Sequence, residues 1–77
     1  MVWRVMRDKN RLYGFYGQLC DIHRENFPDW RFGQFISNFV EWFRLQTGRD
    51  IFYLEDDDRT IQYFREFVTA TKLGVKL

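Results

Sequence analysis

Cys20 and His23 are the residues of this sequence whose side chains most readily suggest chemistry. They lie three positions apart, a spacing that puts both on one face of a helix, where they could ligate one metal ion. A structural zinc site needs about four ligands, whereas the chain contains one Cys and one His. Nucleophilic catalysis would need an orienting group and an oxyanion site, which the sequence does not supply. We therefore expect a buried thiol beside a hydrogen-bonded histidine, no metal, no cofactor, no catalytic residue and no enzymatic activity.

Four consecutive acidic residues, 55–58, form the second group that could bind a ligand. A calcium loop of the EF-hand type requires Gly at its sixth position, and counting from Asp56 that position is Ile61. Acidic residues are also favoured at the start of a helix, where they accept hydrogen bonds from free backbone N–H groups. We therefore predict that the acidic run caps a helix.

Two segments carry a more specific pattern: residues 28–38, PDWRFGQFISN, and residues 50–56, DIFYLED. Asp29 stands where the N-cap of a helix belongs. A bidentate pair between Arg31 and the acids at 55–58 would join the two segments, with Gly33 allowing two backbones to approach closely. On this interpretation the pattern stabilises the fold; the alternative is that its surface is a docking face.

These two segments resemble a pattern found in small uncharacterised proteins encoded by bacteriophages and prophages, especially of Firmicutes. In that pattern a Pro-Asp-x-Arg-Phe/Leu-Gly-Gln helix start precedes an Asp-x-Phe-Tyr-x-Glu-Asp segment, and the similarity covers roughly residues 10–70. Trp30 and Phe35 replace residues that are more often aliphatic in the pattern. The resemblance implies a phage or mobile-element setting and no assigned biochemical activity.

Apolar periodicity predicts an all-α fold: a small three-helix bundle in a single domain, 1–77, with helices at about residues 10–26, 30–46 and 57–70. Residues 51–54 are interpreted as a connector under the helices, and the termini, 2–6 and 72–77, could extend helices, fray or pair as two short strands. The predicted apolar faces consist of Leu12, Phe15, Leu19 and Ile22; of Phe32, Phe35, Ile36, Phe39, Val40 and Phe43, with Trp42 at the edge; and of Ile61, Phe64, Phe67 and Val68.

Composition limits the classes of function. Lys plus Arg number 12 and Asp plus Glu number 11, which argues against a DNA mimic and against a strongly basic nucleic-acid coat protein. A single Cys cannot form an intramolecular disulfide, and the first residues lack the apolar run of a signal peptide. No apolar stretch approaches the roughly 18 residues that span a bilayer. We therefore expect a cytoplasmic protein with no membrane partner.

Aromatic residues make up 21 % of the sequence. A single small core is not expected to bury so many large rings. The surplus predicts anchors for a protein interface or for a homodimer. In the phage setting, we expect a non-enzymatic module that binds a host protein in the host cytoplasm, such as a defence or nucleic-acid-processing factor, and modulates or inhibits it. The predicted partner-binding residues are Trp3, Tyr13, Trp30, Arg31, Gln34 and Trp42.

Nucleic-acid binding is the alternative. The first two predicted helices and the turn between them resemble a helix-turn-helix reader, whose second helix would direct Arg31, Gln34 and Asn38 at base edges. The basic residues of the N-terminal segment could contact phosphates.

Overall fold

Three α-helices account for most of residues 8–74, the part of the chain that this computed structural model describes. Helix α1 spans Arg11–Asn26, α2 spans Phe32–Thr47 and α3 spans Asp58–Lys72. A short 3-10 helix, Ile51–Tyr53, lies between α2 and α3. Residues 8–74 contain no strand, so the prediction of an all-α three-helix bundle is confirmed. The possible pairing of the two termini concerns residues that lie largely outside 8–74.

The start of α3 is organised by the acidic run. The Asp57 side chain accepts a hydrogen bond of 3.1 Å from the backbone N–H of Thr60, and Asp58 lies in the first turn. The buried Thr60 hydroxyl donates to the Glu55 carbonyl oxygen. The Asp57 contact satisfies a backbone donor that a helix start leaves free, and the Thr60 hydroxyl joins the first turn to the segment before it. The capping interpretation of residues 55–58 is confirmed.

The start of α2 differs from the prediction. Trp30 donates its backbone N–H to the Phe27 carbonyl at 3.0 Å, so Pro28 and Asp29 are the central residues of a turn. Proline favours this position because its φ is already fixed near the value that a turn needs. The predicted N-cap role of Asp29 is therefore wrong, and α2 begins at Phe32 with Arg31 at the N-cap position. At the other end, Gly48 adopts the expected left-handed conformation, with φ 72°.

Most of the core consists of aromatic rings of α2 and α3 that contact one another. Phe39 stacks on Phe64 with ring centroids 3.7 Å apart. Two predictions for α2 are wrong: Trp42, expected at the edge, is 4 % exposed, and Phe32, expected in the core, is 71 % exposed. The buried apolar residues are Ile22, Phe27, Phe35, Phe39, Trp42, Phe43, Ile61, Phe64 and Phe67.

The predicted pair between Arg31 and the acidic run is also wrong. The Arg31 side chain is exposed and makes no ion pair with residues 55–58, whereas Arg11 approaches Asp56 with Nε and Oδ2 2.5 Å apart. A Cβ added at Gly33 would meet no atom within 4 Å, so no close backbone approach occurs there. One contact that fastens the segment before α3 therefore comes from the start of α1.

We expect Arg11→Ala and Asp56→Ala to show a coupling energy on the order of 0.5–1 kcal/mol in a double-mutant cycle, because the two side chains are in contact and only partly exposed. Urea unfolding of the four proteins at low ionic strength measures this energy. Arg31→Ala is the matched control and should be additive with Asp56→Ala. Coupling of Asp56 to Arg31 instead of Arg11 would contradict the observed pairing.

Candidate functional site

An open groove of about 460 Å³ lies between α1 and the start of α2. Its volume lies within the roughly 300–1,000 Å³ typical of ligand-binding pockets. Most of its lining is apolar or aromatic. The lining residues are Tyr16, Leu19, Cys20, His23, Arg24, Pro28, Phe32 and Phe35.

The two walls of the groove come from two helices. On α1, Tyr16, Cys20 and Arg24 recur every four residues and lie beside the stripe that faces the core. On α2, the groove is lined by the buried ring of Phe35 and by the exposed ring of Phe32. No helix of residues 8–74 packs over Phe32, and its exposed apolar ring is a feature of the groove that the sequence prediction missed.

His23 fixes the geometry of the inner wall. Its Nε2 atom lies 2.8 Å from the Trp30 carbonyl oxygen, and since a carbonyl can only accept, Nε2 carries the proton. The imidazole also stacks on the Phe35 ring at a centroid distance of 4.4 Å. These contacts attach α1 to the turn before α2, so the expectation of a hydrogen-bonded histidine is confirmed.

Cys20 is an exposed free thiol that lines the groove, and the expectation of a buried thiol is therefore wrong. The core stripe of α1 passes through Leu19 and Ile22, as predicted, and Cys20 lies beside this stripe on the groove side of the helix. Within the described part of the chain, no group of three or more His, Cys, Asp or Glu side chains could hold a metal ion.

A second cavity of about 470 Å³ continues along α1 and shares Tyr16 with the groove. It is lined by Lys9, Asn10, Leu12, Tyr13 and Tyr16. We call the two cavities together the aromatic track, because the exposed rings of Tyr13, Tyr16 and Phe32 border them.

The predicted partner-binding residues have different surroundings. Tyr13 is 81 % exposed and lies on the aromatic track. Trp30 is only half-exposed, because its indole stacks on the Phe27 ring at 4.1 Å. Trp42 is buried and cannot serve as a surface anchor, which corrects that prediction. Arg31 and Gln34 are exposed at the start of α2, and Trp3 lies outside the described residues.

No protein-family model matches this chain, and neither a curated protein nor a solved structure matches it. The resemblance to phage and prophage proteins therefore stays a prediction. Among the helices of residues 8–74, none is both long enough and apolar enough to cross a membrane.

Proposed function

We propose that this protein is a non-enzymatic interaction module that binds a partner protein through its aromatic track. The observation that supports this function is the exposure of Tyr13, Tyr16 and Phe32 around two adjoining cavities. Contiguous exposed apolar surface is typical of protein-binding sites, and aromatic anchors supply much of the free energy of binding at such sites. The rings stand on two helices that the core holds in place, so they offer a largely preformed surface.

In the phage or prophage setting that residues 28–38 and 50–56 suggest, the partner is a host protein in the host cytoplasm. A defence factor or a nucleic-acid-processing factor is the kind of target that a compact protein without catalytic groups would modulate or inhibit by covering its surface. This assignment rests on the sequence resemblance, whereas the binding surface rests on the groove and the exposed rings.

The exposure of Arg31 and Gln34 near the start of α2 favours the alternative of a helix-turn-helix reader. Two observations weigh against it. Trp30, beside them, packs on Phe27. Over the whole chain, 12 Lys and Arg residues are nearly balanced by 11 Asp and Glu residues. A nucleic-acid interface is normally much more basic than this.

Phe32→Ala should lower partner recovery by roughly 30-fold or more, since truncating an interface anchor costs about 2 kcal/mol or more. The measurement is affinity capture from host lysate with quantitative mass spectrometry. Phe52→Ala is the matched control, because Phe52 is 85 % exposed but lies outside the track. Both variants should melt close to wild type.

A host protein that is captured by wild type and by Phe52→Ala, but not by Phe32→Ala, would support the proposed interaction module. Binding of duplex DNA at physiological salt that Arg31→Ala abolishes and Phe32→Ala leaves unchanged would contradict it and favour the alternative.

A further inference from the structure

The aromatic track has a basic residue at each end. Lys9 lines the cavity at the start of α1, and Arg24 lines the groove near the end of that helix. Neither residue forms an ion pair with another side chain of residues 8–74. The acidic residues of α1, Asp21 and Glu25, line neither cavity. Lys9 and Arg24 are therefore the only Lys, Arg, Asp or Glu residues among those that line the two cavities, one at each end of the track.

The backbone around the track restricts how a partner can bind. Apart from the turn residues Lys9, Asn10 and Pro28, its lining comes from helices, whose interior N–H and C=O groups are bonded internally. Residues 8–74 also offer no strand edge to which a partner strand could be added. A partner must therefore insert side chains between the rings. An amphipathic helix does this with anchors spaced at i, i+3 or i+4, and i+7.

The length of the track sets the length of such a helix. Lys9 lies shortly before the first residue of α1, and Arg24 lies on α1 fifteen positions later. At a helical rise of about 1.5 Å per residue, this separation corresponds to roughly 20 Å. A helix of about four turns would therefore bring its two ends close to the two basic residues, with its apolar face over Tyr13, Tyr16 and Phe32.

From this charge pattern and length we infer that the aromatic track binds an amphipathic helix of a partner protein that carries carboxylates near both of its ends. This inference rests on the proposed function and specifies the chemistry of the partner. The apolar anchors supply most of the affinity, whereas Lys9 and Arg24 select the charge of the partner and align its helix along the track, because rim charges act mainly on specificity and on association rate.

A display library of random helical peptides tests the inference directly. Wild-type protein should enrich peptides with acidic residues about four turns apart and apolar residues between them. The double charge reversal Lys9→Glu with Arg24→Glu should enrich basic residues at those positions instead. Thermal melting should first show that the reversed protein is folded.

The affinity of one enriched acidic peptide, measured by fluorescence polarisation, provides the second readout. The double reversal and Phe32→Ala should each weaken binding at least 10-fold, and added salt should shrink the effect of the reversal. The matched controls, Arg65→Glu on α3 and Phe52→Ala, should remain within about 2-fold of wild type, a change of roughly 0.4 kcal/mol. Bound peptide should also slow modification of Cys20, the single cysteine of the chain, which lines the groove.

Four results would overturn the inference. The first two are enriched peptides that lack acidic residues and enriched peptides that keep the same charge after the double reversal. Light scattering could show dimers that Phe32→Ala dissociates, in which case a second copy of the chain covers the track. Single-stranded DNA could displace the peptide at physiological salt. Host-protein capture that depends on Phe32 but is unchanged by the double reversal would refute only the acidic helix and leave the proposed function standing.

Discussion

Replacing Phe39 with Ala should lower the free energy of unfolding by about 3–5 kcal/mol, because the variant loses the burial of a phenyl ring and retains a cavity. Phe39 is 2 % exposed and stacks on Phe64, and it also contacts the rings of Trp42 and Phe43. Small domains are stable by only about 5–15 kcal/mol, so the melting temperature should fall sharply. Urea and thermal unfolding followed by far-ultraviolet circular dichroism measure the change.

Phe32→Ala is the internal control for this prediction. It removes an identical ring from the same helix, but at a position that is 71 % exposed. Surface substitutions usually change stability by no more than about 0.5 kcal/mol. If the two substitutions destabilised the protein equally, the arrangement of α2 against α3 described above would be wrong.

The contrast between Phe39 and Phe32 shows what periodicity can predict. At about 100° per residue, both rings point to the same side of α2, and the sequence pattern indicated this direction correctly. The pattern contains no information about what lies opposite each ring. Phe64 covers Phe39, whereas none of the three described helices covers Phe32 at the start of α2. The groove exists because of this uncovered position, and the local sequence therefore could not reveal it.

The rotation of α2 was also only partly predictable. Apolar residues cover so much of its circumference that the sequence pattern places Val40 in the core and Trp42 at the edge. The structure buries Trp42, which contacts Phe67, and leaves Val40 half-exposed. The partner helix thus decides which large side chain points inward. The pair between Arg11 and Asp56 joins positions 45 residues apart, a separation at which local patterns give no information.

Local signals predicted the helix ends more successfully where one residue has a single strong preference. Gly48 ends α2 because glycine readily adopts a left-handed conformation, and Asp57 caps α3 through its carboxylate. Asp29 illustrates the opposite case. It can serve in a turn or at a cap, and the proline before it favours the turn.

Phe67→Ala should be similarly destabilising, by about 3–5 kcal/mol, because Phe67 is 1 % exposed and connects three parts of the fold. Its ring lies 5.7–6.5 Å, centroid to centroid, from the rings of Phe27, Trp30, Phe35, Phe39 and Trp42. Loss of this ring should therefore disturb the turn before α2 as well as the packing of α3. Chemical unfolding measures the stability, and tryptophan emission reports on Trp30 and Trp42.

Val68→Ala is the matched control, since Val68 neighbours Phe67 on α3 but is only half-buried. It should cost less than Phe67→Ala and leave tryptophan emission close to wild type. Phe67→Leu replaces the aromatic ring with a large aliphatic side chain and should retain more stability than Phe67→Ala. It therefore tests the ring contacts in a protein that still folds. If Phe67→Leu changed neither tryptophan emission nor stability, Phe67 would not connect the turn, α2 and α3. The floor of the groove would then have to be held by α1 and α2 alone, through the stacking of His23 on Phe35.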